Sequence, residues 1–403
     1  MATLHRHGPV LPIRRALLAG GLALPFTTLG AAEPASGPTA GRILVVLEMS
    51  GGNDGLNTVV PHADDLYYRL RPRIAIRPER VLRIDERFGF NPGMAGFERL
   101  YKEGRLALVH GCGYEQPSFS HFSSMAFWHT AAPNSGETTG WMGRLADALR
   151  PGGDPGFVVN IASSQSLAVR GQGHVPVVFD DPERFVRQAP FEARSLIDRD
   201  VPQGDDGNPT RRYLREIAQS GRVVSARVRE ACAGYRTPVD YGLVTIDLPK
   251  VAALIAADMP TRLYYVAYRN NAFDTHVHQV DTHQRLLTYV SDAVAGFMRD
   301  MERIGRADDV VLMAFSEFGR RVPENANLGT DHGTAGPMFL AGKPVRGGQY
   351  GEPPNLANRT ADDNLLHTSD FRRVYATVTG GWLGLQDSAA VLRGHFATFP
   401  IFS

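Results

Sequence analysis

The stretch Val310-Val311-Leu312-Met313-Ala314-Phe315 is an unbroken apolar run, and it leads straight into Ser316-Glu317-Phe318-Gly319-Arg320 and then Thr330-Asp331-His332-Gly333. A run of this kind suits a parallel strand covered on both faces. In open α/β sheets, chemistry gathers in the crevice beyond the carboxyl ends of such strands. A carboxylate, an arginine and an adjacent Asp-His pair in that place can hold a divalent cation.

Three further segments repeat the pattern. Residues 42–48 end in Ser50-Gly51-Gly52-Asn53-Asp54-Gly55. Residues 106–110 lead through a loop to a predicted helix over 120–130. Residues 262–268 end in Asn270-Asn271-Ala272-Phe273-Asp274-Thr275-His276, before a predicted helix over 280–304. Shorter strands are expected at 157–161, 175–179 and 338–341, with helices at 94–103, 209–234 and 370–383. Residues 133–208, rich in Gly, Pro and Asp, read as an elaboration on the core. Strands alternating with helices predict a doubly wound α/β fold with a mainly parallel central sheet flanked by helices. If the four main strands are neighbours, their polar loops meet in one patch.

The chain has 403 residues, 43% of them hydrophobic, with 43 basic and 42 acidic side chains. That is globular composition. Residues 1–32 contain no acid, and Arg14-Arg15 precede an apolar run over 16–26 and the small residues Gly30-Ala31-Ala32. This reads as a twin-arginine signal peptide, with an ordinary secretory signal or an uncleaved anchor as the alternatives. Residues 33–41 form a linker, and 42–403 are expected to be a single α/β domain without a transmembrane anchor. Export to the periplasm or the medium follows. Removing the signal leaves 40 basic groups against 42 acidic ones, which gives no reason to expect nucleic acid as a partner. Cys112 and Cys232 lack metal-ligand spacing and read as two unrelated thiols, with a disulfide between them in an oxidising periplasm as the alternative.

Each polar cluster carries two readings. Asp331 and His332 can both reach one metal from an irregular loop, and hard carboxylate with imidazole suits zinc, manganese or iron. Equally, Asp331 can cap a turn beside a surface imidazole. Asp274, His276 and His278 offer a second ligand group, or a helix start with histidines in its first turn. Asp54 is the candidate ligand at the tip of the first strand. Ser120 heads a helix, where amide N–H groups favour an anion; it is a candidate nucleophile or a plain N-cap. Glu317 is a candidate ligand, supporting acceptor or general base. Arg320 either holds an oxyanion or pairs with Glu317.

Taken in order, the export signal, Gly51-Gly52-Asn53-Asp54-Gly55-Leu56-Asn57-Thr58-Val59-Val60-Pro61, Ser120-His121-Phe122, Phe273-Asp274-Thr275-His276, Ser316-Glu317-Phe318-Gly319-Arg320, Thr330-Asp331-His332-Gly333 and Asp370-Phe371-Arg372 resemble the exported bacterial family called domain of unknown function 1501. That family is similar to the alkaline phosphatase and sulfatase superfamily. The resemblance implies an alkaline phosphatase-like fold with metal-binding loops at strand ends. It implies that Asp54 (or Glu48) binds metal, that Ser120 (or Ser118) is the nucleophile, and that Asp274 with His278 or His276 supplies one metal site. Asp331-His332 supplies another, and His367 or His395 completes the set. The expected function is an exported metal-dependent hydrolase of phosphate or sulfate esters, using zinc or manganese on a small-molecule or envelope-associated ester. The alternative is a non-catalytic relative that binds an envelope component or partner protein.

Overall fold

In the computed structural model, residues 41–151, 155–184 and 223–402 are described. The segment expected to be a signal peptide, residues 1–32, and most of the expected linker lie outside them, as does the first part of the helix expected over 209–234, which is helical from 223 to 234.

Among the described residues nine strands form the central sheet: β1 Ile43–Met49, β2 Leu106–Gly113, β3 Val158–Ile161, β4 Val177–Phe179, β5 Leu263–Tyr268, β6 Val310–Phe315, β7 Gly336–Ala341, β8 Gly348–Tyr350 and β9 Ser369–Asp370. Their order is β8-β2-β7-β6-β1-β5-β3-β4, with β9 also pairing to β2. β1 lies parallel between β5 and β6, with Leu47 level with both Val266 and Ala314. β7 is antiparallel to both β2 and β6, so those two run in the same direction. The mainly parallel sheet expected from the sequence is therefore present, with one reversed strand in it. The carboxyl ends of β1, β2, β5 and β6 all open on one edge.

Side-chain alternation explains why these strands are apolar throughout. In β1, Ile43, Val45, Leu47 and Met49 face one core layer with β5 residues Tyr264 and Val266 and β6 residues Leu312 and Ala314. Leu44 and Val46 face the other layer, with Leu263, Tyr265, Val311, Met313 and Phe315. The first layer is covered by α1 (Ala95–Lys102), α4 (Leu248–Ala256) and α5 (Gln279–Arg303). The second is covered by α2 (His121–Thr130), α3 (Trp141–Leu149) and α6 (Phe371–Ala376). Helices α3 and α4 escape the sequence reading. Each is short, and its apolar residues merge with the Gly- and Pro-rich segments around it. Cys112 and Cys232 are both free. No helix among the described residues is long and apolar enough to cross a membrane.

Candidate metal centre

Three imidazoles meet one carboxylate beyond the ends of β1, β2, β5 and β6. Asp274 Oδ1 lies 3.0 Å from His276 Nε2 and 3.0 Å from His332 Nε2, while Asp274 Oδ2 lies 3.3 Å from His121 Nε2. His276 Nε2 and His332 Nε2 are 2.9 Å apart. His121 is the first residue of α2, Asp274 and His276 follow β5, and His332 sits in the small hairpin Gly319–Arg320/His332–Gly333.

What these histidines do with their other nitrogen decides the chemistry. His121 Nδ1 is 2.8 Å from Glu317 Oε1, His276 Nδ1 is 3.3 Å from Asp331 Oδ1, and His332 Nδ1 is 2.8 Å from the Phe119 carbonyl. Carboxylates and carbonyls only accept, so each Nδ1 carries the hydrogen, and each Nε2 either turns a lone pair inward or, on a protonated ring, donates to Asp274. In both states positive charge gathers around Asp274, as protons on the rings or as a cation bound by the lone pairs. His121 Nε2 is buried and makes no well-aligned hydrogen bond to Asp274. Ligands bound at about 2.0–2.2 Å around a tetrahedral cation stand roughly 3.3–3.6 Å apart. The observed spacings of 2.9 to 3.3 Å are close to that. His121, Asp274 and His332 form a group able to hold a metal ion, and His276 adjoins it. Imidazoles braced through Nδ1 by carboxylate or carbonyl are the usual support of a metal-binding histidine.

The local electrostatics differ from ring to ring. The hydrogen bond to Glu317, outweighing burial, raises the His121 pKa and favours its protonated form, which a bound cation would have to displace. Burial lowers that of His332, favouring the neutral form that ligates. Burial also opposes ionisation of Asp274, but the hydrogen bond from Arg320 and the positive charge beside it override that and bring this carboxyl to about 2. A carboxyl lowered on folding from about 3.9 stabilises the fold fully above about pH 4 and progressively less as pH falls toward 2. Urea unfolding of metal-free protein should therefore show a shallower loss of stability over that window in Asp274→Asn than in the native chain. Equal slopes would mean that the pairing of Asp274 with Arg320 contributes nothing.

The remaining expected site residues are placed as follows. Glu317 is fully buried, accepts from the Gly51 amide at 2.9 Å and lies 2.8 Å from His121 Nδ1, so its contacts are those of an acceptor that supports His121. Asp331 is an outer residue: it braces His276 and accepts from Asn325 Nδ2 at 3.1 Å. His278 is exposed at the start of α5 and stands outside the cluster. Ser120 is exposed and caps α2, its Oγ accepting from the Ser123 amide at 3.5 Å. His367 and His395 are not members of the cluster.

Two expectations are corrected. Asp54 is wholly buried and does not join the imidazoles. Its Oδ1 accepts from the Leu56 amide, while Oδ2 accepts from Arg71 Nη1 at 2.6 Å and from Gln279 Nε2. With both oxygens engaged, it is the N-cap of the turn Gly55–Thr58 and the partner of a buried arginine. Glu48, the other candidate at this strand, points into the opposite core layer, where it meets Tyr265 and His129. Arg320 is not an oxyanion holder and does not pair with Glu317. It is 1% exposed, and its donors reach the carbonyls of Gly52 (2.6 Å), Thr330 (2.9 Å), Gly51 (2.5 Å) and Phe273 (3.2 Å) as well as Asp274 Oδ1 (2.7 Å). It ties three strand-end loops together. That closeness requires glycine at 51, where φ is +121° and a Cβ would stand 2.5 Å from the Asp274 amide nitrogen.

His121 escaped the sequence reading because it stands beside Ser120, which drew the attention as a nucleophile. Arg71 and Gln279 escaped because neither lies in a polar strand-end loop.

Residues 250–396 match the family described as "Protein of unknown function (DUF1501)". This stretch carries Asp274, His276, Glu317, Arg320, Asp331 and His332, so the resemblance read from the motifs is borne out over it. No curated protein matches the chain. Among solved structures, the chain is similar to the lipoteichoic acid synthase LtaP from Listeria monocytogenes, at 9% identity and a TM-score of 0.40, covering 88% of this chain and 75% of that one. It is also similar to the C-terminal periplasmic domain of EcEptC from Escherichia coli in complex with Zn, at 11% identity and 0.35, covering 75% and 73%. A protein in the alkaline phosphatase superfamily from Vibrio parahaemolyticus matches at 12% identity and 0.35, covering 77% and 62%. Similarity this distant carries no residue roles to this chain.

Proposed function

We propose that this protein is an exported, metal-dependent hydrolase of phosphate or sulfate esters. One divalent cation, zinc or manganese, would be held by His121, Asp274, His276 and His332, and Ser120 would be the nucleophile. The observation that carries the reading is the convergence of three Nε2 atoms on Asp274, each ring braced at Nδ1. When bound, such a cation supplies Lewis-acid stabilisation of oxygen charge and lowers the pKa of a bound hydroxyl or water. The chain does the positioning. Ser120 presents an exposed hydroxyl one residue before His121, at the head of α2, where backbone N–H groups favour an anion. Glu317 and Asp331 hold two of the rings in the ligating tautomer. The resemblance to the domain of unknown function 1501 family, and through it to ester hydrolases, supports this reading. The site departs from the expected set in lacking Asp54, which favours one cation over two.

Protein purified without chelator should contain close to one equivalent of zinc or manganese, or gain thermal stability on adding either. On a panel of phosphate and sulfate monoesters, Ser120→Ala should lower any turnover by a factor of about 100 or more, while leaving metal content unchanged. Protein that binds neither metal and hydrolyses no ester would instead be the non-catalytic relative, a binding module for an envelope component.

A further inference from the structure

The two loops that carry the imidazoles of β5 and of the hairpin share one internal tie. Gln279, the first residue of α5, is fully buried. Its Oε1 accepts from Thr330 Oγ1 at 2.6 Å and from Thr275 Oγ1 at 3.2 Å, and its Nε2 donates to Asp54 Oδ2. The orientation of the amide is forced. Asp54 is held ionised by Arg71 beside it and can only accept, so Nε2 must face it and Oε1 must face the two hydroxyls. Both threonines are buried. Thr275 lies between Asp274 and His276, and Thr330 directly precedes Asp331-His332.

We infer that Gln279 is a positioning residue for the cation site: by holding Thr275 and Thr330 on one carbonyl oxygen, it sets the distance between the loop of Asp274 and His276 and the loop of His332. The inference rests on the proposed cation site. The brace from Asp331 to His276 Nδ1 is long, at 3.3 Å, and the backbone bond from the Thr330 amide to the Thr275 carbonyl is also 3.3 Å. Backbone and side-chain bonds at Gln279 N–Leu328 O (2.8 Å), His278 N–Asn327 O (3.0 Å) and Asn325 Nδ2–His276 O (3.0 Å) also join these loops, and the Thr330–Gln279 bond, at 2.6 Å, is the shortest of these and the one nearest His332. Metal ligands must be held to within about 0.5 Å, so slack between the loops weakens the site without abolishing it. Arg320 binds both loops from the other side, and keeps them folded when Gln279 is changed. The anchor itself is stiff, because Gln279 begins a helix of 25 residues whose inner face is packed on the sheet.

The test is zinc affinity, measured by competition with a chromophoric chelator, on full-length Gln279→Met, Thr330→Val and Thr330→Ser. Methionine keeps the length of glutamine and removes its acceptor; valine removes the threonine hydroxyl, and serine restores it. Gln279→Met and Thr330→Val should bind zinc about ten- to a hundredfold more weakly, the range for loss of an outer support. Thr330→Ser should regain most of the native affinity. A purely structural role would lower the melting temperature of the metal-free protein and leave zinc affinity native, which would overturn the inference. So would equal affinities for the valine and serine variants. If Gln279→Met does not fold, the Thr330 pair decides. Absence of zinc binding by the native chain would overturn the cation site itself, and shows before any variant is made.

Discussion

Asp274→Asn is expected to remove zinc binding, weakening it by more than about a hundredfold, the upper end of what the loss of an outer support costs. Asp274 is the one carboxylate that all three imidazoles face, and both of its oxygens are used. Asparagine keeps the shape and still offers a carbonyl oxygen to Arg320, so the loops stay tied. What disappears is the negative charge, and with it most of the attraction for a dication among neutral rings. Ester hydrolysis should fall to background with it. Asp331→Asn makes the instructive contrast: an amide oxygen still accepts from His276 Nδ1, so the loss should be no more than about tenfold. Calorimetric zinc titration of both variants checks this. Native affinity in Asp274→Asn, or an equal loss in the two, would remove Asp274 from the centre of the site.

Arg71→Met is expected to destabilise the protein by about 3–5 kcal/mol, the cost of leaving one half of a buried ion pair alone. Neither side chain of the Arg71–Asp54 pair is exposed at all. Arg71 also donates to Val322 O at 2.6 Å, Asn57 Oδ1 at 2.8 Å and Arg321 O at 2.9 Å, so its loss strands acceptors on two segments, 54–57 and 321–322. The pH dependence carries a sign. Burial pushes the Asp54 pKa up, but Arg71 prevails and lowers it, so native stabilisation from this group is present above about pH 4 and lost as pH falls below it. Without Arg71, burial is unopposed by that charge and the folded-state pKa rises. The variant then gains stability as pH falls through the raised value, and the gap to the native protein narrows in acid. Adding Asp54→Asn to Arg71→Met should recover part of the loss. Urea unfolding at neutral and acid pH measures all of this. A cost under about 1 kcal/mol would show that the pair does not hold the loop.

The strands were legible because their signal is local. Val310–Phe315 is apolar at every position since both of its faces are covered, and β1 and β5 read in the same way. Their polar ends marked the correct edge of the sheet, and Asp274, His276 and His332 were picked out from there. Roles were not legible, because each depends on a partner far along the chain. Asp54 and Asp274 look alike as acids after a strand, yet Arg71 claims one and three imidazoles surround the other. Arg320 looked available beside Glu317 until four loop carbonyls enclosed it.

The amino-acid order alone determined the layered α/β architecture and the set of loops from which a site is drawn, because hydrophobic periodicity and glycine turns act between near neighbours. Only the tertiary structure decided which atoms meet. Reversed β7 between β2 and β6, the burial of Arg71 and Gln279, and the turning of three rings by Glu317, Asp331 and the Phe119 carbonyl are consequences of strand order and of packing between distant segments.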